Sequence, residues 1–575
     1  MKKTPLVLLF TAFLAFQCSQ KCNAQANSTG MQPDTTHTWW KQSVVYQVYV
    51  RSFKDVNGDG IGDLKGIEEK LDYIKALGVN VIWLCPIFPS PNFDYGYDVS
   101  DYYRINSEFG NMADFNNLVA AVKKHGMKLI LDMVINHTSS QNRWFTQSEE
   151  SKTNPYHDFY FWRNPGPNGG LPNNWERNWT FNKNLNQYYL HLFSPQQPDL
   201  NWDNPAVRDT LFNMMRFWLD KGVNGFRLDV ASYYSKKTGL PDMPKGDRSF
   251  FANGPREHEY LKEMNSKVFS HYKTIMSVGE APGVSLGQAP LYVGPDRHEL
   301  DMIFQFDVVN RHLTDSLPAF KDIFVRWDSA LTQQGKGWNA FYLGNHDNPR
   351  LVSRLGNDST WRIPSAKLLG TLLLTMRGTP FLYQGDELGM TNAPFTSISQ
   401  LRDRLVLSFY EMAKASGKDV SAFRQNLLKN GRDNSRTPMQ WNDEQNGGFT
   451  SGSPWIMVNP NYKTINVAAE ERNPNSVLNY YKRIIKFRHS HDAMVYGALK
   501  VYDLDNPDVF AYTRGSGNDR YLVLLNMSNK AIDFALPSSI GNSPGTLLID
   551  NYEKTNPQSG SSVNFRPWEA MLFKM

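Results

Sequence analysis

The sequence predicts an α/β chain: a (β/α)8 TIM barrel with an inserted subdomain after the third strand and a C-terminal antiparallel β-sandwich domain. Three observations carry this reading. Short β-rich apolar runs alternate with helix-patterned stretches until eight strands are counted. The connection 138–201, rich in Asn, Pro, Trp and Tyr and poor in helical periodicity, is too long for an ordinary loop. After about residue 495 the pattern changes to short strands among Gly, Pro, Asn and Ser. A chain of 575 residues also exceeds what one core supports.

The elements follow in order. Lys2 and Lys3 precede an apolar run over 6–16, broken only by Thr11, with small-residue cleavage sites at Ala24-Gln25-Ala26 and Cys22-Asn23-Ala24. Residues 1–24 therefore read as a secretory signal peptide. The run is too short to span a bilayer and nothing later reaches about 18 apolar residues, so no integral membrane segment is expected. Cys18 is a candidate for a lipid anchor, but Phe16-Gln17 before it are bulkier than such a site prefers. Cleavage leaves only Cys85, hence no intramolecular disulfide. Export without a disulfide points to a bacterial periplasm or the exterior. Removing Lys2, Lys3 and Lys21 lowers the net charge from +5, and no long basic run remains, which gives no argument for nucleic acid or an acidic membrane. The 13% aromatic content suits sugar-binding faces and large cores equally.

The barrel is assigned to 38–137 and 202–494, with strands at 44–53, 79–88, 128–137, 225–231, 275–280, 302–307, 338–347 and 379–385. Helices are expected at 67–77 and 112–125 among others. The insert takes 138–201. The β-domain takes 495–575, with strands at 509–512, 521–525 and 570–573.

Parallel barrels present polar residues at the C-terminal ends of their strands. Here those ends offer Asp94 with Tyr97, His137, Arg227 with Asp229, Glu280, and His346 with Asp347. A lone acid is more often a helix cap or an ion-pair partner; the gathering of several at one mouth is the signal. Arg227 and Asp229, two apart on a strand, share a face. A neighbouring guanidinium favours the ionised carboxylate that a nucleophile requires. Glu280 ends an apolar strand, where burial keeps a carboxyl protonated as a general acid. Two carboxyls about 5–5.5 Å apart are what retaining glycoside hydrolysis needs, and adjacent strands can supply that spacing.

An early segment, Asp55-x-Asn57-Gly58-Asp59-Gly60-Ile61-Gly62-Asp63, places oxygen donors at alternating positions around a glycine turn. The spacing resembles a calcium loop with the Ile61 carbonyl contributing, although Gly66 stands where the usual twelfth-position Glu would be. A metal-free turn of Asx residues fits the same spacing.

Four blocks, Asp132-Met133-Val134-Ile135-Asn136-His137, Gly225-Phe226-Arg227-Leu228-Asp229, Gly279-Glu280 and Asn345-His346-Asp347, resemble the signatures of the α-amylase family of glycoside hydrolases (family 13), in the family's order. Gln197-Pro198-Asp199-Leu200-Asn201 resembles the fifth block in its oligo-1,6-glucosidase form. The resemblance runs from about Trp39 to the C-terminus. It implies a retaining, exo-acting α-glucosidase with Asp229 as nucleophile, Glu280 as acid/base and Asp347 as the third carboxylate. It implies His137 and His346 on hydroxyls of the nonreducing glucose, with Asp94, Tyr97, Phe193, Gln197 and Arg227 completing the pocket. The segment 431–441 is similar to the family's late loop; its Arg432 would pair with Asp94 and close the far end, with Arg436 beside it. Calcium at Asp55, Asn57, Asp59, Ile61 and Asp63 would be structural, and hydrolysis would need no cofactor. Val230, after the nucleophile, accompanies α-1,6 activity in similar enzymes, where Ala or Thr accompanies α-1,4 preference. The expected partner is a small oligosaccharide such as isomaltose or panose, and the expected state a monomer. Phe306-Asp307-Val308-Val309-Asn310-Arg311-His312 departs from both the oligo-1,6-glucosidase segment and the Arg-rich motif of sucrose isomerases. An α-1,4-preferring glucosidase, a sucrose isomerase or transglucosylase, and a non-catalytic sugar-binding protein are the alternatives. The presence of both Asp229 and Glu280 argues against the last.

Overall fold

The computed structural model describes residues 38–575 except 167–177, 242–243, 245–246, 248, 311–315 and 554–559. The signal-peptide reading and Cys18 lie outside the described residues.

The eight expected barrel strands form a closed parallel sheet. In chain order they are β1 (Val45–Val48), β2 (Val81–Leu84) and β3 (Lys128–Met133), then β7 (Gly225–Leu228), β8 (Met276–Glu280), β9 (Met302–Phe304), β10 (Asn339–Tyr342) and β11 (Thr379–Tyr383). Between β3 and β7 the insert contributes β4 (Trp162–Arg163), β5 (Trp179–Asn182) and β6 (Gln187–Leu190). Closure joins β1 to β11 through Val45–Phe381 and Gln47–Tyr383. The strand interiors, such as Val45, Val81, Ile130, Met276, Val278 and Phe381, pack into one buried cluster, so the barrel is filled rather than hollow. Gly225 opens β7 with φ 139°, and a Cβ there would lie 1.8 Å from the Met276 carbonyl oxygen on β8, so this strand start requires glycine.

Every barrel strand is shorter than its apolar run, and most of the difference is at the C-terminal end. The chain leaves the sheet after Leu84, Met133, Leu228 and Tyr342, which sets the polar residues that follow on loops at the mouth. The expected helix at 67–77 is two helices, Leu64–Glu69 and Leu71–Leu77, because Asp63 caps the first through the Gly66 amide and Lys70 breaks the run. The helix expected at 112–125 spans Met112–Lys124 and starts at a reciprocal capping box of Asn111 and Asp114.

The insert has more regular structure than its composition suggests. It contains the helix Arg143–Ser148 and an antiparallel sheet ordered β4-β6-β5. Its end returns to the barrel through bridges pairing His137 with Asp199 and Tyr160 with Leu200. After β11 two further helices, Arg404–Ala415 and Ser421–Asn430, rise before the loop carrying Arg432.

The C-terminal region holds β12 (Leu499–Tyr502), β13 (Val509–Ser516), β14 (Asp519–Asn526), β15 (Ile532–Ala535), β16 (Thr546–Asp550), β17 (Ser562–Phe565) and β18 (Ala570–Lys574). They form a five-stranded sheet, β12-β13-β14-β18-β16, and the pair β15-β17. Alternation along β13 explains the layering. Val509 and Ala511 face the pair with Phe534 and Val563, while Phe510 and Tyr512 face the barrel's helical shell.

Candidate active site

The site is built around one guanidinium. Arg227 on β7 is 2% exposed, and its Nη1 lies 2.8 Å from Asp132 Oδ1 and 2.6 Å from Asp229 Oδ1. Its Nη2 lies 2.7 Å from Glu280 Oε2 at the end of β8. Two nitrogens on one carbon therefore hold the two candidate catalytic carboxyls side by side, which suits the close spacing of a retaining pair rather than the wider gap that admits a water. Glu280 and Asp229 also share a side-chain hydrogen bond.

Burial and charge divide their protonation. Burial pushes the Glu280 carboxyl up to about 8, against Arg227 and with Asp229 and Asp347 adding to the rise. Burial also raises Asp229, to about 6, with Arg227 opposing it. At neutral pH the proton of the pair stays on Glu280 and Asp229 is ionised.

Between them Val230 adopts φ 38°, a left-handed conformation that a β-branched residue reaches only under strain. The bend points the Val230 amide at Glu280 Oε2, 3.2 Å away, and buries the side chain against Tyr233, Ala252 and Phe193.

Asp347 lies across the mouth. Burial alone would raise its carboxyl, but the positive groups around it, Arg432, Arg436 and Arg227 being the permanent ones, hold it well below the usual carboxylate range. Its Oδ1 is 3.2 Å from Arg432 Nη1 and 3.0 Å from Arg436 Nη2. Arg432 also reaches Asp94 Oδ1 at 2.9 Å, the pairing expected at the closed end.

The two histidines are neutral and oriented. Burial lowers both, His346 to about 3. Gln47 donates to His346 Nδ1 at 2.8 Å, which leaves the proton on Nε2, 3.3 Å from Asp347 Oδ2. The Tyr97 ring stacks on His346 at 5.1 Å, and its hydroxyl donates to Asp132 at 2.8 Å. His137 lies 5.1 Å from the Phe193 ring, and Gln197 donates to Asp94 at 3.3 Å and to the Tyr97 carbonyl at 3.0 Å. All thirteen expected catalytic and sugar-binding residues thus meet at one mouth.

Three further residues belong to this network and escape sequence reasoning. Asp132 is Arg227's register partner on β3; its place in the first motif block was the available signal. Asp403 grips Arg432 through both oxygens at 2.6 Å, and Lys236 is buried beneath the nucleophile loop; neither carries a sequence signal of its own. Of the segment 306–312, Arg311 and His312 lie outside the described residues. A separate cavity of about 510 Å³ lies beyond the loop, lined by residues including Asn392, Phe395, Arg424 and Lys429, and contains none of the three carboxylates.

The five expected metal ligands lie together on one loop after β1 but are not gathered. Among the described residues no three His, Cys, Asp or Glu side chains come together as a metal would require. Asp55 accepts from the Gly58 and Gly60 amides, Asp63 from Val56 and Gly66, and Asn57 and Asp59 each from the amide two residues on. Gly60 has φ 90°, and a Cβ there would lie 1.9 Å from the Ser453 carbonyl oxygen.

A family model described as the α-amylase catalytic domain matches residues 47–497. The chain belongs to the α-amylase family. A second model, the α-amylase SusG C-terminal domain, matches 509–572 of this α-amylase-family chain. It is similar to an oligo-1,6-glucosidase of Parageobacillus thermoglucosidasius, 48% identical over 559 residues that cover 93% of this chain and 99% of the relative. It is also similar to a trehalose-6-phosphate hydrolase of Bacillus subtilis, 43% identical over 93% of this chain and 98% of the relative. Among solved structures, the isomaltulose synthase of Protaminobacter rubrum superposes with a TM-score of 0.89 at 45% identity, over 93% of this chain and 99% of that one.

Proposed function

We propose that this α-amylase-family enzyme is a retaining, exo-acting α-glucosidase that removes nonreducing-end glucose from short oligosaccharides, with α-1,6 bonds of the isomaltose and panose type preferred. One observation carries the reading. Arg227 holds the Asp229 and Glu280 carboxyls side by side, in a cluster where Arg432 pairs with Asp94 as expected for a closed far end.

In the first step an Asp229 oxygen forms a bond to the anomeric carbon while Glu280 gives its proton to the departing glycosidic oxygen. The second sugar leaves and a glucosyl ester remains on Asp229. Glu280, now a carboxylate, then takes a proton from water as that water attacks the same carbon, and glucose leaves with its configuration retained. Arg227 stays charged throughout and offsets whichever carboxylate is ionised. Asp347 and the Nε2–H of His346 are placed to hold sugar hydroxyls. A blocked end suits chain ends rather than mid-chain attack. The α-1,6 preference is supported by Val230 and by the names of several relatives. Hydrolysis of isomaltose, panose, maltose, trehalose and sucrose, followed side by side by chromatography, tests it. Fastest glucose release from isomaltose or panose is expected. Preference for maltose would remove the weight on Val230, and new disaccharides from sucrose would support the transfer reading that the isomaltulose synthase likeness favours.

The same proposal includes export of the chain after cleavage of residues 1–24, to a bacterial periplasm, as a monomer. It also includes calcium on the loop of Asp55, Asn57, Asp59, Ile61 and Asp63. The donor set is all oxygen at alternating positions, as a hard cation prefers. Asp55 Oδ2 already accepts from both the Gly60 amide and the Thr450 hydroxyl, while Asp55 Oδ1, Asp59 Oδ1 and the two Asp63 oxygens each accept one amide and keep a lone pair for a metal. Calcium there would brace the loop and take no part in the reaction. Chelation should lower the melting temperature and remove about one equivalent of metal per chain. An unchanged melting temperature and no bound metal would leave a metal-free Asx turn.

A further inference from the structure

Lys236 is 5% exposed and makes its contacts with three separate parts of the chain. Its Nζ lies 2.9 Å from Asp199 Oδ2 at the end of the insert, 2.7 Å from Asn136 Oδ1 beyond β3, and 2.5 Å from the Tyr233 carbonyl on the nucleophile loop. An ammonium has three protons and accepts nothing, so these three acceptors use it completely.

The consequence passes through Asn136. Its amide can face Lys236 only with the oxygen, since the NH2 face would meet the ammonium proton to proton. The NH2 group must then turn the other way, where Nδ2 lies 3.1 Å from His137 Nδ1 and 3.4 Å from Asp199 Oδ2. An NH2 group only donates, so Nδ1 of His137 must be bare and the ring proton must sit on Nε2. The far side of the ring agrees, because Nε2 lies 3.0 Å from the Tyr97 carbonyl, which can only accept. The Gln197 NH2 group lies 3.3 Å from the same nitrogen, but its two protons go to Asp94 and the Tyr97 carbonyl, so it makes no hydrogen bond to the protonated Nε2.

We propose that Lys236 is a positioning residue. By fixing the Asn136 amide it locks His137 in the Nε2–H tautomer, whose one proton goes to the Tyr97 carbonyl, so that the ring is held in one orientation beside the pocket residues Tyr97 and Gln197. Asp199 neutralises the buried ammonium and ties the insert into the same device, so the middle of the fifth sequence block and the loop after the nucleophile are set by one side chain. This rests on the reading of His137 as a sugar-binding residue.

The test uses full-length enzyme labelled with ring-15N histidine, the His137 signals being assigned by their loss in His137→Gln. The wild type should show a protonated Nε2 and a bare Nδ1. Lys236→Met should show mixed tautomers and about tenfold lower kcat/KM on the preferred disaccharide. Because Lys236→Met leaves Asp199 as a lone buried charge that threatens folding, Lys236→Met/Asp199→Asn is measured beside it. The double variant should regain most of the lost melting temperature while keeping the mixed tautomers and the low kcat/KM. A wild-type His137 protonated on Nδ1, an unchanged tautomer in both variants, or activity that recovers together with melting temperature would overturn the proposal. If the wild type hydrolysed none of the sugars, the functional reading would fail, and the tautomer measurement would still decide the role of Lys236.

Discussion

The buried cations of the catalytic cluster are neutralised differently from those at the base of the barrel, although Arg350 behind the cluster is held by the carbonyls of Gln384, Asn434 and Thr437. At the C-terminal mouth Arg227, Arg432, Arg436 and Lys236 each pair with a carboxylate. At the opposite end Arg488 and Arg514 donate to backbone carbonyls: Arg488 to Leu374, Met376 and Met494, and Arg514 to Thr375 and Gly497. Lys321 likewise holds the carbonyls of Asp503, Asn506 and Val509. The carbonyls of Leu374, Thr375 and Met376 close the helix Arg362–Thr375, where a helix leaves unpaired acceptors and partial negative charge. A carboxylate partner can gain or lose a proton, so the mouth is a set of mutually dependent ionisation states that a reaction can use. A carbonyl cannot, so the base is a fixed staple between barrel and C-terminal sheet.

The largest effect is expected at the nucleophile in the mouth. Asp229→Asn removes the nucleophile but keeps its shape, and kcat should fall by on the order of 10⁴-fold or more with the circular dichroism spectrum unchanged. Hydrolysis at wild-type rate would end the assignment. Next in size, the mouth should show its ionisations as a bell-shaped dependence of kcat/KM on pH. Below about 6 Asp229 gains a proton and ceases to be a nucleophile, and above about 8 Glu280 loses the proton it must donate. Each limb should approach a tenfold loss per pH unit. A flat profile between pH 5 and 9 would contradict the division of roles.

The smallest effect on rate is expected at the base. Arg514→Met leaves carbonyls of Thr375 and Gly497 unpaired and should lower unfolding stability by about 1–3 kcal/mol, read from the urea midpoint, with kcat of the folded enzyme unchanged. A fall in kcat would mean that the two ends are coupled.

The strands, their order and the residues at their ends were legible because each barrel strand is buried on both faces and so reads as an apolar run. The same feature made the strands look too long. Apolar residues such as Val134 and Ile135 continue into the mouth because the mouth is itself buried, while the sheet stops at Met133. Asp403 and Lys236 were not legible, since an ion pair between residues 29 or 37 positions apart leaves no periodic trace. The calcium reading rested on the spacing and on the family resemblance, and spacing specifies which oxygens are available without specifying whether they turn toward an ion or toward their own amides.

The sequence by itself determined the barrel, the two layers that follow it and the chemical types at the mouth, because burial pattern and residue type are local properties of the chain. The tertiary structure decided protonation. One guanidinium reaches three carboxyls from three strands, a left-handed turn at Val230 aims an amide at Glu280, and a buried ammonium sets an asparagine that sets a histidine. Protonation follows from distances between residues far apart in sequence, and only the folded chain fixes those distances.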